Sequence, residues 1–143
     1  EYTFSFWMKR SNFTHSSVHQ FPFSANTGGN IYIVNGTEKI GIQSFGSVDG
    51  GTSQTTDQVF RDISNWYHIV MAVDTDDATD TNRVKFYVNG SQADMTVSAW
   101  PNQGDHGRVN QSGNAQIIGN IASGTAAKAF DGYLAEFHFI DGQ

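Results

Sequence analysis

Residues 66–90, WYHIVMAVDTDDATDTNRVKFYVNG, from Trp66 to Gly90, carry the clearest strand–turn–strand pattern in the chain. Its opening run, residues 66–73, is apolar at both odd and even positions, as a strand in the middle of a sandwich must be. A polar tip follows over residues 74–82. Residues 84–88 then form a second strand that runs into Asn89-Gly90. That dipeptide suits a type I′ hairpin turn, because both of its residues tolerate positive φ.

Working outward, Tyr2, Phe4, Phe6 and Met8 fall on one face at a period of two, with Trp7 on the other. Residues 31–34 lead into a second Asn-Gly pair, Asn35-Gly36, and a return strand over 39–45, which predicts another tight hairpin. A short strand is expected over 115–118. Residues 132–140 close the chain, with Tyr133, Ala135, Phe137 and Phe139 predicted on one face and Leu134, Glu136, His138 and Ile140 on the other. No segment holds a helical period, and Pro22 and Pro101 are expected in loops. The pattern predicts an all-β, two-sheet antiparallel sandwich with Phe6, Trp66, Ile69, Met71, Phe86, Val88, Tyr133 and Phe137 in its core. Residues 11–30, 46–64 and 96–114 read as long loops, where function tends to reside.

Composition narrows the function. A chain of 143 residues is one domain's worth, and eleven Phe supply large rings to fill its interior. Eight Lys and Arg against fourteen Asp and Glu leave a net charge of −6. The basic residues are scattered, so nucleic acid is not an expected partner. Cysteine is absent, which excludes disulfides and Cys-ligated zinc and leans toward a bacterial or viral source. No apolar run is long enough for a membrane-spanning helix. A surface of Asn, Gln, Ser, Thr and Gly with few charges suits work outside a cell. The chain starts and stops close to strands, so a segment of a longer polypeptide is expected.

Three segments together resemble the laminin G-like and concanavalin A-like jelly rolls. Residues 2–10, YTFSFWMKR, are similar to that family's early aromatic–Trp–hydrophobic–Lys strand. Residues 66–90 resemble its Trp-Tyr-His strand, polar tip and Tyr-Val-Asn-Gly ending. Ile118-Gly119, followed by Phe130, Gly132, Leu134 and Glu136, resembles its closing pattern. The resemblance implies a jelly roll over residues 1–143. It also implies that the strand which usually precedes residues 2–10 is truncated or donated from elsewhere. Residues 134–143, LAEFHFIDGQ, are nearer to jelly-roll segments of bacteriophage tail, fibre and other virion proteins. This implies a virion or extracellular location, a homo-oligomer packed among other virion subunits, and a role in attachment to cell-surface glycans. The alternatives are a purely structural virion subunit and a degenerate glycoside hydrolase.

Catalysis is not expected. Glycoside hydrolysis needs two carboxyl groups flanking the bond, and hydrolase relatives carry Glu-x-Asp-x-x-Glu on one strand. This chain has only Glu1, Glu38 and Glu136, in no such arrangement. His68 reads as a satisfied core histidine rather than a base. Asp74, Asp76, Asp77 and Asp80 invite a calcium reading. An EF-hand spacing, however, would need Gly and Glu where Thr79 and Lys85 stand, so a solvated acidic tip is preferred. The resemblance keeps Asp49, Asn120 and Asp131 as calcium candidates. The Asn-x-Ser/Thr sequons at Asn12, Asn35, Asn89 and Asn110 carry no inference in so Asn-rich a chain. The strongest ligand-binding candidate is the polar loop 96–112. There Trp100 either stacks on a sugar or folds back onto the core edge, with Asn102, Gln103, Asp105, His106 and Arg108 as orienting partners.

Overall fold

The computed structural model describes residues 1–12, 18–26, 28–45, 53–122 and 124–142. Eleven strands follow in order: β1 (Tyr2–Arg10), β2 (Gln20–Ala25), β3 (Gly28–Ile33), β4 (Lys39–Gln43), β5 (Ser53–Val59), β6 (Tyr67–Val73), β7 (Val84–Val88), β8 (Ser91–Gln92), β9 (Met95–Ala99), β10 (Gln116–Ile118) and β11 (Gly132–Asp141). Among the described residues the helical content is two short 3-10 turns, Asp80–Asn82 and Ala126–Lys128. No helix there is long and apolar enough to cross a membrane. The strands form two antiparallel sheets, ordered β11-β1-β6-β7-β8 and β10-β2-β3-β4-β5-β9. This is the expected jelly-roll β-sandwich.

Alternation builds the core. Phe4, Phe6 and Met8 of β1, Ile69 and Met71 of β6, and Phe86 of β7 project from the first sheet. Ile31, Ile33, Ile40 and Ile42 meet them from the second, and the Phe4 and Phe23 rings lie 4.5 Å apart. Burying each such side chain is worth about 1.5–3 kcal/mol. The two sheets are also joined by an interior ion pair between Arg10, at the end of β1, and Glu38, just before β4. Gly41 is required by packing, because a Cβ there would sit 2.5 Å from Cζ of Tyr32, the residue opposite it on β3.

Several expectations need correction. Trp66 and Tyr133 are not in the core but 41% and 61% exposed. Trp66 precedes β6, so Tyr67 takes the inward position. Tyr133 is displaced by a bulge: β1 and β11 slip register between Ser5 and Trp7, and Glu136 opposite takes φ of 50°. The extra residue reverses the parity of β11, so Leu134 and Phe137 both reach the core while Tyr133 faces out. His68 also lies on the outer face rather than in the core. It is satisfied there, with Nε2 3.0 Å from Ser5 Oγ and its ring 4.8 Å from that of Trp7.

Asn89-Gly90 makes the expected turn, with φ of 51° and 83°. Asn35-Gly36 does not. Gly36 and Glu38 carry the positive φ, and Val34 N–H bonds the Lys39 carbonyl at 2.9 Å across a longer loop. The stretches read as loops contain β2, the first half of β3, β5 and most of β9, while residues 13–17, 27 and 46–52 of them lie outside the described residues. Polar β5 (SQTTDQV) is held by ladders on both sides rather than by hydrophobic burial. Pro22 lies buried in β2, where the β2–β3 pairing skips between Gln20 and Phe23.

Candidate site at the end of the sandwich

The loop after β9 lies against the connection between β6 and β7. Gly104 N–H donates to the Thr75 carbonyl at 3.0 Å, and Gln103 Nε2 to the Asp76 carbonyl at 3.0 Å. Buried Arg83 organises the same region from beneath, donating to the carbonyls of Asp77 (2.9 Å), Pro101 (2.7 Å) and Ala78 (3.3 Å). The acidic tip is therefore wrapped around a guanidinium. Among the described residues no group of three or more His, Asp or Glu is placed to hold a metal ion. Asn120 Oδ1 accepts from Ile121 N–H and the Asp131 carboxylate from Ser11, while Asp49 lies outside the described residues.

Farther along, Val109 plugs the loop into the core beside Gly29, where an added Cβ would lie 2.9 Å from the valine methyl. Asn110 takes φ of 57° and donates from Nδ2 to Asp141 Oδ2 at 3.0 Å. Between the loop and the strand ends lies a cavity of about 220 Å³, lined by Thr75, Asp105, His106, Asn110, Gln111 and Asp141 among others. Tyr2 also lines it. The Tyr2 hydroxyl is buried with no hydrogen-bond partner among the described residues. Burial pushes its phenol well above the ordinary value of 10.0.

The six loop candidates therefore divide. Asp105 and His106 face the cavity. Asn102 fixes Asp105 by donating to Oδ2 at 3.1 Å, and Gln103 fastens the loop to Asp76. Arg108 turns away and packs its stem over Gly28. Trp100 is half-buried against the core cluster, which is the folded-back alternative. Sequence reasoning missed Tyr2, Thr75 and Asp141, which reach the cavity because the start of β1 meets the ends of β6 and β11, and it did not single out Asn110 and Gln111 within the 96–112 loop. One signal was available in Val109, the single apolar residue between Arg108 and Asn110 and the loop's anchor.

Chemically the cavity offers carboxylate acceptors (Glu1, Asp105 and Asp141) and groups that can donate and accept (Asn, Gln, His, Thr), and among the described residues its lining includes no lysine or arginine. A family model described as the concanavalin A-like lectin/glucanases superfamily matches residues 1–143. No curated protein matches the chain.

Proposed function

The chain belongs to the concanavalin A-like lectin/glucanases superfamily, and from that premise we propose a non-catalytic attachment module that holds a glycan at the end of the sandwich. The observation that carries this reading is the polar cavity of about 220 Å³ with Asp105, His106, Asn110 and Asp141 in its lining. Sugar hydroxyls both donate and accept, so mixed carboxylate, amide and imidazole groups match them. The volume is below the roughly 300–1,000 Å³ of pockets that enclose drug-sized ligands. It suits one terminal sugar ring. Glu38 is committed to Arg10 and Glu136 sits exposed in the bulge of β11, so these two carboxylates do not converge as an acid–base pair.

The setting we propose is a bacteriophage tail or fibre protein, working outside the cell as a homo-oligomer among other virion subunits. Support for it is the resemblance of residues 134–143 and the polar, weakly charged composition. A glycan array probed with the chain and with Asp105→Asn tests the function. Retention of a defined glycan class, lost in the variant, supports it, whereas a blank array refutes it. A reducing-sugar assay on any glycan retained must stay at background.

One observation favours a second reading, that of a structural subunit without a sugar ligand. The outermost strands β10 and β11 leave an apolar cleft of about 270 Å³ between the sheets, lined by Phe4, Phe23, Ile118, Phe137 and Phe139. A neighbouring polypeptide could fill it. A blank array together with a stable oligomer in light scattering would favour this reading.

A further inference from the structure

The outer face of the sheet β11-β1-β6-β7-β8 carries an aromatic surface that neither the core nor the cavity uses. Trp7 is 40%, Trp66 41% and Tyr133 61% exposed. They are grouped: the Trp66 and Tyr133 rings lie 6.4 Å apart, and Trp7 stacks on His68 at 4.8 Å. Lys9, paired with Tyr133, projects on this face from β1, the strand between β11 and β6. Farther across, Tyr87 and Lys85 face the same way, opposite Val70 and Ala72 of β6. Trp7 is stacked on His68 with an interplanar angle of 25°, and the Trp66 and Tyr133 rings meet tilted at 53°, so each of these rings has an aromatic neighbour that limits its motion.

Charge is sorted here against the chain's own balance. The molecule has fourteen Asp and Glu against eight Lys and Arg. Yet the outward positions of β1, β6 and β7 carry Lys9, Lys85 and His68 with no carboxylate. On β11 the bulge residue Glu136 lies 3.4 Å from His138. Nearby, Asp62 accepts from Ser64 and Asn65, and Asp131 from Ser11. Among the described residues neither lysine forms an ion pair.

We propose that this face binds an anionic polysaccharide, lying across the strands with sugar rings on Trp7, Trp66 and Tyr133 and acidic groups at Lys9 and Lys85. Aromatic faces exclude water from the apolar C–H side of a sugar ring, and ammonium groups select a carboxylate or sulfate ester. A sheet face open across several strands suits a polymer, whereas the cavity suits a single ring. This binding does not rest on the cavity reading, since the surfaces share no residue.

Affinity electrophoresis in native gels containing polygalacturonate, dextran sulfate or neutral pullulan tests it. Migration should be retarded by one or both acidic polymers and far less by pullulan. Retention by polygalacturonate alone would assign the acidic group as a carboxylate, and by dextran sulfate as a sulfate. Tyr133→Ala with Trp7→Ala should weaken retention at least tenfold, as should Lys9→Gln with Lys85→Gln, while Lys9→Arg retains it. Asp105→Asn should leave it unchanged, so failure here and failure of the cavity are separately visible. Melting curves confirm folding, and the highly exposed Tyr133→Ala alone serves if the double variant unfolds. No retardation at low salt, equal retardation by pullulan, or indifference to the lysine changes would overturn the proposal. So would a dimer dissolved by Tyr133→Ala with no retention by polymer.

Discussion

Arg10 and Glu38 form an ion pair inside the sandwich, bridging the end of β1 in one sheet and the residue just before β4 in the other. The guanidinium also donates to the Phe60 carbonyl at 2.9 Å and the Asn12 carbonyl at 3.3 Å. Glu38 takes φ of 61° there, so the pair fixes the approach to β4 as well as joining the sheets.

Removing one partner leaves the other charge buried. Glu38→Ala should therefore cost about 3–5 kcal/mol in urea unfolding, and the double change Arg10→Met with Glu38→Leu should recover much of it. A single variant as stable as the parent would show that the interior charge is solvated.

The Tyr2 hydroxyl has lost water without gaining a partner among the described residues. Tyr2→Phe should be neutral or stabilising, by up to about 1 kcal/mol. The sign of the pH effect follows from the raised phenol. Above the ordinary value of 10.0 the unfolded chain releases this proton while the folded chain keeps it. Stability must then fall as pH rises through that range. In Tyr2→Phe the alkaline fall should be shallower, which unfolding measured across alkaline pH will show.

Trp100 packs on the core cluster. Trp100→Ala should cost about 1–3 kcal/mol, less than the full large-to-small penalty because the ring is only half-buried. Glycan retention measured below the melting range should persist. An unchanged melting temperature with lost retention would restore Trp100 to the ligand site.

Gly41 lies beneath the Tyr32 ring, which is also flanked by His19 at 4.8 Å and Phe21 at 5.7 Å. Gly41→Ala should destabilise by about 1–3 kcal/mol through overpacking. Gly41→Ala combined with Tyr32→Leu should be less damaging than the sum of the two changes.

The legible parts of this molecule are those where local pattern and tertiary burial agree. Phe4, Phe6 and Met8, the 66–73 run and the Asn89-Gly90 turn announce their places by period and turn chemistry alone. Tyr133 was misread because a bulge at Glu136 carries no hydrophobic signature, yet it resets every face on its N-terminal side. β5 was missed because its ladders, not its side chains, make it a strand. At the site, Asp105 and His106 were legible as polar groups in a long loop. Trp100 was ambiguous, since an indole beside a proline reads the same whether it stacks on ligand or core. Thr75 and Asp141 were invisible, because only the common endpoint of β6 and β11 brings them to the cavity.

Binding of a sugar at the end of the sandwich can be followed residue by residue in two-dimensional amide NMR. The labelled chain would be titrated with galactose, glucose, mannose and N-acetylglucosamine at millimolar concentrations. If the cavity holds a sugar, saturable shifts are expected for at least one of the four, confined to Thr75, Gly104, Asp105, His106, Asn110, Gln111 and Asp141 and abolished by Asp105→Asn. Spectra unmoved by all four sugars, or shifts centred elsewhere with these amides silent, would contradict it.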